Sequence, residues 1–574
     1  MDGLRVPITE WLYAALATNV AYDHFVAELV NPQSKGTAGF VNGIRWRGDL
    51  NASQKPHMQA AQGVAQVFLG VNLKCASCHD SLINDWSLSD AYGMAAVYAE
   101  EPRLEMHECD RPTGRRVAAR FLFPELGDIP GDATDNERIR RLAEIITSRA
   151  NGRLTRTVVN RLWQRLMGRG LVDPVDEMEQ GAWHPDLLDW LAEDFAAHGQ
   201  DLKRTLGLIL TSRAYQMPSV SLGDRQKAPF IFTGPAVRRL TAEQFRDALG
   251  SLTGVWYESA ARPIDFTAGL APGVRADLLR KGPRWIWSVP DADAGAEEGT
   301  VCFYKMFYLP TAPAEALVAV TADSRFVLYV NGVRAASGKQ WSKVQVADIR
   351  AHLRAGENVI TVEAVNASDS NTVSHGAWKP AGLVLYARLR DRGRLMDVAT
   401  DSSWRWAANR TLVMNAEGAK PKGLKPSVEL GDTTMHPWSI EPALVAGLSQ
   451  ALVRGGVRSA LVAADPLATA LGRPPREQVV SVRASEGTTL QALELTNGRT
   501  LTDVIRRGAE RLLAGAGSSQ REFVASLYLK ALGRAPTEGE FRLAGELLSQ
   551  PMKAEQVEDF VWSMTMLPEF QLIY

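Results

Sequence analysis

The stretch with the most specific chemistry is KCASCHD, residues 74–80. Cys75 and Cys78 lie three positions apart, and His79 follows the second directly. Two thiols at that spacing can reach the two vinyl groups of a haem, and the adjacent imidazole can meet the iron from the same turn. The pattern therefore reads as a c-type haem attachment site, with Cys75 and Cys78 as covalent links and His79 as the proximal iron ligand. The sixth iron position would fall to His107, Met106 or Met94, with His57 and Met58 as further candidates; a methionine there would raise the potential, whereas an open position would permit substrate or peroxide chemistry. Met94 also sits in YGMAAVY, whose helical spacing makes it a natural core residue.

Other chemistries fit the same residues. Structural zinc needs four ligands, and Cys75, Cys78, His107 and Cys109 form an unusual set of the right size. A plain disulfide between Cys75 and Cys78 is the simplest alternative. A thioredoxin-like redox pair requires a βαβ context, whereas the flanks here are helical. Spacing alone leaves haem, zinc and a disulfide open.

Composition narrows the function classes. At 574 residues the chain is too long for one core, and about three or four domains are implied. Its 64 basic and 65 acidic residues nearly cancel, so no global field favours nucleic acid or anionic membrane. No apolar run is long enough for a transmembrane helix. Four cysteines are too few for a disulfide framework, and Cys302, inside VCFYKMFYL, reads as a small buried hydrophobe. The opening MDGLRVPITEWLYAALATNV lacks a basic lead-in and a small-residue cleavage pattern. Covalent haem is attached after export, so a haem-loaded chain should have a true N-terminus upstream of this one.

These residues must be positioned by elements of three textures. Residues 1–120 read as helices joined by long loops; HMQAAQGVAQVFLGV runs into the Cys motif, and SLSDAYGMAAVYAE follows with Ser89 or Asp90 near its start. Residues 121–255 are strongly helical, with Gly168 closing one helix, Pro185 and Asp201 opening others, and Thr241 and Gln244 forming a capping box. Residues 256–412 switch to period two, and Asn331-Gly332 marks a hairpin. Residues 413–574 return to helix, with a second capping box at Thr537 and Glu540. The predicted class is a multidomain α+β protein: a mainly helical body interrupted by an antiparallel, jelly-roll-like β-sandwich.

The motif segment QVFLGVNLKCASCHDSLINDWSLSDAYGMAAVYAE resembles the planctomycete cytochrome-associated family that pairs two domains of unknown function, numbered fifteen forty-nine and fifteen fifty-three. The second domain is resembled in two parts. The first holds VVNRLWQRLMGRGLVDPVDEMEQGAWHPDLLDWLAEDF, DLKRTLGLILTSRAYQ and RRLTAEQFRDAL. The second holds ALGRPPREQVVSVRASEGTTLQALELTNG, LYLKALGRAPTEGEF and MLPEFQLIY. The resemblance implies an exported periplasmic or envelope protein of c-type cytochrome character, associated with sulfated glycan metabolism. Members commonly continue the motif as Cys-His-x-His-Pro, whereas here Ser81 and Leu82 follow Asp80.

Further polar residues, Asn160, Arg161, Asp173, Asp176, His184 and Asp189, read more readily as caps and bridges than as a catalytic set. Arg161, Arg213 and Arg483 are the candidates to pair with haem propionates. The segment TADSRFVLYVNGVRAAS and its neighbours resemble galactose-binding-like jelly rolls, which implies that Trp341, Trp378, Trp404 and Trp406 could serve as sugar platforms; Trp285 and Trp287 fit packing better. The reading that follows is a haem-c envelope protein with an electron-transfer role, partnered by a redox protein and holding a glycan ligand. Its alternatives are a non-catalytic glycan-binding or scaffold protein with a structural Cys motif, and a metal-dependent hydrolase or lyase.

Overall fold

The computed structural model describes residues 6–43, 51–221, 230–271, 273–367, 379–391, 394–408, 423–450, 456–474, 480, 483, 487–515 and 519–574. The chain forms two compact units, Met1–Tyr257 with Arg458–Tyr574, and Glu258–Val457. The first is built mainly of helices and the second of antiparallel strands, the α+β class that the texture of the sequence predicts.

In the helical unit the local signals act where they stand. Thr241 and Gln244 close one capping box and Thr537 and Glu540 another, each satisfying backbone N–H groups that a helix start leaves unpaired. Asp201 caps helix Leu202–Leu210, and Gly168 ends helix Gly152–Met167 in a left-handed conformation. The helix after the Cys motif, Leu88–Ala95, starts earlier than Ser89 or Asp90: Ser87 is its cap and Asp90 completes the capping box from the third position.

Two apolar clusters hold this unit together. One joins the first 120 residues to the helices up to Ile209 around Phe68, Phe121, Phe195, Leu69 and Leu73. The other packs Phe245, Leu249 and Leu252 of helix Ala242–Thr253 against Leu501, Val504, Leu527, Phe560 and Val561 from beyond residue 458. Each such side chain contributes roughly 1.5–3 kcal/mol when fully buried, so the two stretches of chain fold as one body.

One element is absent from the helix-and-loop expectation for residues 1–120. Strands Arg103–Glu108 and Arg111–Ala118 form an antiparallel hairpin. Its two-residue turn is Cys109-Asp110, both at positive φ (43° and 71°), as the twist of a tight hairpin requires. Asp tolerates that conformation well, but cysteine gives no sequence signal for it.

The second unit stacks two six-stranded antiparallel sheets. Strands Gly299–Leu309 and Gly356–Asn366 pair along their whole length in one sheet; Glu315–Asp323 and Gly382–Asp391 do so in the other. Asn331 and Gly332, at φ 49° and 80°, make the two-residue hairpin turn between Val330 and Val333 that the sequence marks. Trp285 and Trp287 are buried, and Trp285 stacks on Trp438 at 4.2 Å. Lys425–Pro426, Val428–Gly431 and helix Glu441–Gln450 belong to this unit, so the chain rejoins the helical body at Arg458 and not at the boundary of 412 expected from the sequence.

Helix Pro56–Val64 widens into a π-turn over Ala65–Leu69 and stops at Gly70, whose φ is 61°. A Cβ at Gly70 would run into Met178 Cγ, so both backbone and space demand glycine. Gly70→Ala is expected to lower stability by about 1–3 kcal/mol, read as a lower thermal midpoint of the helical signal in circular dichroism; an unchanged midpoint would contradict this packing.

Candidate functional site

The site grows from the end of that π-turn. The last carbonyls of a helix lack partners, and here the guanidinium of Arg161 supplies them, bonding the Gln66 and Val67 carbonyls. Asp176 holds Arg161 at 2.8 Å and also accepts from the Gln66 side chain at 2.7 Å. The chain then leaves Gly70 with Val71 and Leu73 buried and enters the motif as a tight turn. Cys78 N–H and His79 N–H both donate to the Cys75 carbonyl, at 3.0 and 3.2 Å.

The middle of the turn faces inward. Ala76 is fully buried, and the hydroxyl of buried Ser77 donates to the Lys74 carbonyl at 2.7 Å while accepting from Gln62 at 2.8 Å. Burying the two central residues turns the flanking ones outward: Cys75, Cys78 and His79 are each half-buried. His79 Nδ1 lies 2.7 Å from the Asp80 carbonyl. A ring N–H must bridge that contact, which fixes the proton on Nδ1 and leaves the Nε2 lone pair for a metal. The following loop is closed by Ser81 N–H to the Trp86 carbonyl at 2.9 Å and by Asp80, which accepts from Leu88 N–H at 2.8 Å. It presents Leu82 and Ile83 at 89% and 62% exposure.

The hairpin turn meets this site. Cys109 N–H donates to the Cys78 carbonyl at 2.9 Å, and Asp110 anchors the same turn by accepting from Ala52 N–H at 2.7 Å. Tyr92 lies between them, its hydroxyl donating to the His107 carbonyl at 3.5 Å. Burial pushes that hydroxyl above its ordinary range, against the bond to His107, and nearby Cys78 and Asp110 push the same way. His107 Nδ1 faces the Glu105 carbonyl at 3.1 Å, so its Nε2 is likewise left as the acceptor.

Three of the expected ligands lie in the core. Met94 and Met106 are 0% and 3% exposed, and Met58 is fully buried with them in the helical core. All three belong to the apolar cluster of the helical unit. His57 lines two neighbouring cavities of about 510 and 290 Å³, with His107 lining the larger. Among the described residues no three His, Cys, Asp or Glu side chains converge as a metal site. The zinc set of Cys75, Cys78, His107 and Cys109 is thus not assembled, although backbone bonding brings Cys109 to the motif.

The chain matches two families in sequence: Protein of unknown function (DUF1549) over residues 3–102, and Protein of unknown function (DUF1553) over residues 138–266 and 452–548. It belongs to the family of paired planctomycete-type domains of unknown function. A stretch of 142 residues is 28% identical to an alpha-L-rhamnosidase from Streptomyces avermitilis, covering 24% of this chain and 13% of that enzyme. Among solved structures, the alpha-L-rhamnosidase of that organism complexed with L-rhamnose is similar at 22% identity and a TM-score of 0.24, over 27% of this chain and 15% of its own. A lectin from Pleurotus ostreatus in complex with GalNAc is similar at 21% identity and a TM-score of 0.24, over 27% of this chain and 45% of its own.

In this family member the second domain is split by the β unit, and its polar residues serve structure. Asn160 is buried and exchanges two bonds with Val172, accepting from its N–H and donating to its carbonyl, at 3.0 and 2.9 Å. His184 caps a helix through Nδ1, Asp189 pairs with Arg156 at 2.6 Å, and Asp173 faces Arg169 at 3.4 Å. Arg161 is committed to the π-turn and Arg483 to Glu243, so neither is available for a propionate, and Arg213 stands exposed. Of the tryptophans proposed as sugar platforms, Trp404 is 0% exposed and donates to the Ala399 carbonyl, which removes it as a platform. Trp341 packs half-buried against the core, Trp406 lies under the Lys425 ammonium at 5.1 Å, and Trp378 lies outside the described residues.

Cys109 is exposed and Cys75 and Cys78 half-buried, whereas Cys302 is 2% exposed. Treating the folded, haem-free chain with a maleimide should label Cys75, Cys78 and Cys109 and spare Cys302 until denaturant is added, as read by peptide mass spectrometry. Native labelling of Cys302 would contradict the packing of the β unit.

Proposed function

We propose that the chain holds a covalent haem c through Cys75, Cys78 and His79 and acts in electron transfer in the cell envelope. The observation that supports this best is the donor arrangement. Two half-buried thiols flank a turn whose central residues are buried, and the next imidazole has its Nδ1 proton tied to a carbonyl with Nε2 left over. This donor set fits the group. When bound, the haem supplies one-electron chemistry at a potential set by its axial ligands and burial. His79 is kept in one tautomer and orientation by the Asp80 carbonyl. His107 and His57, which line one cavity, are the histidine candidates for a second axial ligand. Leu82 and Ile83 offer apolar surface in the loop that follows the motif.

In this reading the β unit is the module that holds carbohydrate or a partner. Its support is the 142-residue similarity to an alpha-L-rhamnosidase, with the half-buried Trp341 and Trp406 as the remaining aromatic candidates of the described set. A second reading, a non-catalytic scaffold or glycan-binding protein with a structural Cys motif, is favoured by one observation: the turn is pinned by protein groups, the Gln62 side chain and Cys109 N–H.

Expression behind an export signal in a host with a cytochrome maturation system separates the two. The haem reading predicts a Soret band that survives denaturation and is absent from the Cys75→Ala/Cys78→Ala variant. A colourless, folded chain from that host would favour the scaffold.

A further inference from the structure

Far from the Cys motif in sequence, a cavity of about 340 Å³ opens within the helical unit. It lies where the end of helix Gly152–Met167, the short strand Arg238–Arg239, the start of helix Ala242–Thr253 and helix Thr489–Asn497 meet. Arg165, Arg238, Arg239 and Arg483 line it, and among the described residues no acidic one does.

The four arginines differ in how their charge is met. Arg483 and its neighbour Arg473 share the carboxylate of Glu243, so that acid is already used by two guanidiniums. Arg239 donates to a neutral partner, the Gln491 side chain, at 3.1 Å. Half-burial holds Arg238 below the usual arginine range; the Tyr215 hydroxyl counteracts this, and Arg165 adds a like charge. Among the described residues no carboxylate pairs with Arg165, Arg238 or Arg239. The three guanidiniums that no described carboxylate pairs with repel one another, and their planar forks match the oxygens of phosphate, sulfate or carboxylate. The positive end of helix Ala242–Thr253 lies at the same wall, since its cap Thr241 lines the cavity, and adds to the field.

We propose that this cavity binds an oxyanionic ligand, an organic phosphate or sulfate ester small enough for its volume, with Arg165, Arg238 and Arg239 as the charged contacts. The arginines sit at the junction of the two stretches of chain that form one core, so an anion here ties the start of helix Ala242–Thr253 to helix Thr489–Asn497. The site is independent of the Cys motif and of haem loading.

The test is calorimetric titration of the full chain with inorganic phosphate and with inorganic sulfate, against chloride at matched ionic strength. Saturable binding of either oxyanion, weakened about tenfold or more in Arg238→Gln and in Arg165→Gln, is expected, because each removes a charged partner of the anion. Arg115→Gln, an exposed arginine on the hairpin, should bind as the parent does. A preference for phosphate or for sulfate identifies which ester class the site takes. Without ligand, Arg238→Gln should melt no lower than the parent, since it relieves like-charge repulsion; a purely structural arginine would lower the melt. If Arg238→Gln does not fold, the more exposed Arg165→Gln carries the test. No saturable heat with either oxyanion, an equal response to chloride, or unchanged affinity in Arg165→Gln would overturn the proposal.

Discussion

The geometry of the Cys motif depends on how one helix ends. The π-turn at Ala65–Leu69 leaves carbonyls that must be satisfied inside an apolar core, and Arg161 meets them while held by Asp176. The half-buried guanidinium is accommodated because its terminal nitrogens bond these carbonyls and the Asp176 carboxylate. With the end fixed, Gly70 turns the chain through a conformation open to few other residues, and Leu73 and Ala76 drop into the core. The outward direction of Cys75, Cys78 and His79 follows from that inward one. Chemistry at the surface is thus set by packing beneath it.

The hairpin Arg103–Ala118 adds a second constraint. Its turn lends one N–H to the Cys78 carbonyl and one carboxylate to Ala52 N–H. The motif is held from the core side by Gln62 and from the hairpin side by Cys109. A turn braced on both sides keeps its thiols and imidazole in fixed mutual positions.

Much of this was legible in the sequence where the signal is local. Capping residues such as Thr241 and Thr537, the helix stop at Gly168 and the Asn331-Gly332 turn act through neighbours within a few positions, and all are in place. The Cys-x-x-Cys-His spacing is likewise local. What was not legible is long-range. Gln62 carries no mark that it will reach Ser77, nor does Arg161 show that it caps a helix more than ninety positions away. Helical spacing named Met94 as a core residue, and it is fully buried. Trp404 was a platform candidate through the jelly-roll resemblance, which does not say which tryptophans point inward, and it is fully buried. The sheet pairing of Val428–Gly431 with Trp285–Trp287 spans some 140 positions, which hid the true end of the β unit.

The central claim is that the Cys75–His79 turn is a haem attachment site and not a structural staple. Peptide mass spectrometry of the chain matured through an export pathway tests it most directly. The account predicts that the peptide containing Cys75 and Cys78 carries haem on both sulfurs, with Cys109 unmodified. A Cys75–Cys78 disulfide, a Cys78–Cys109 disulfide, or free thiols at all three positions in protein from a competent host would contradict it.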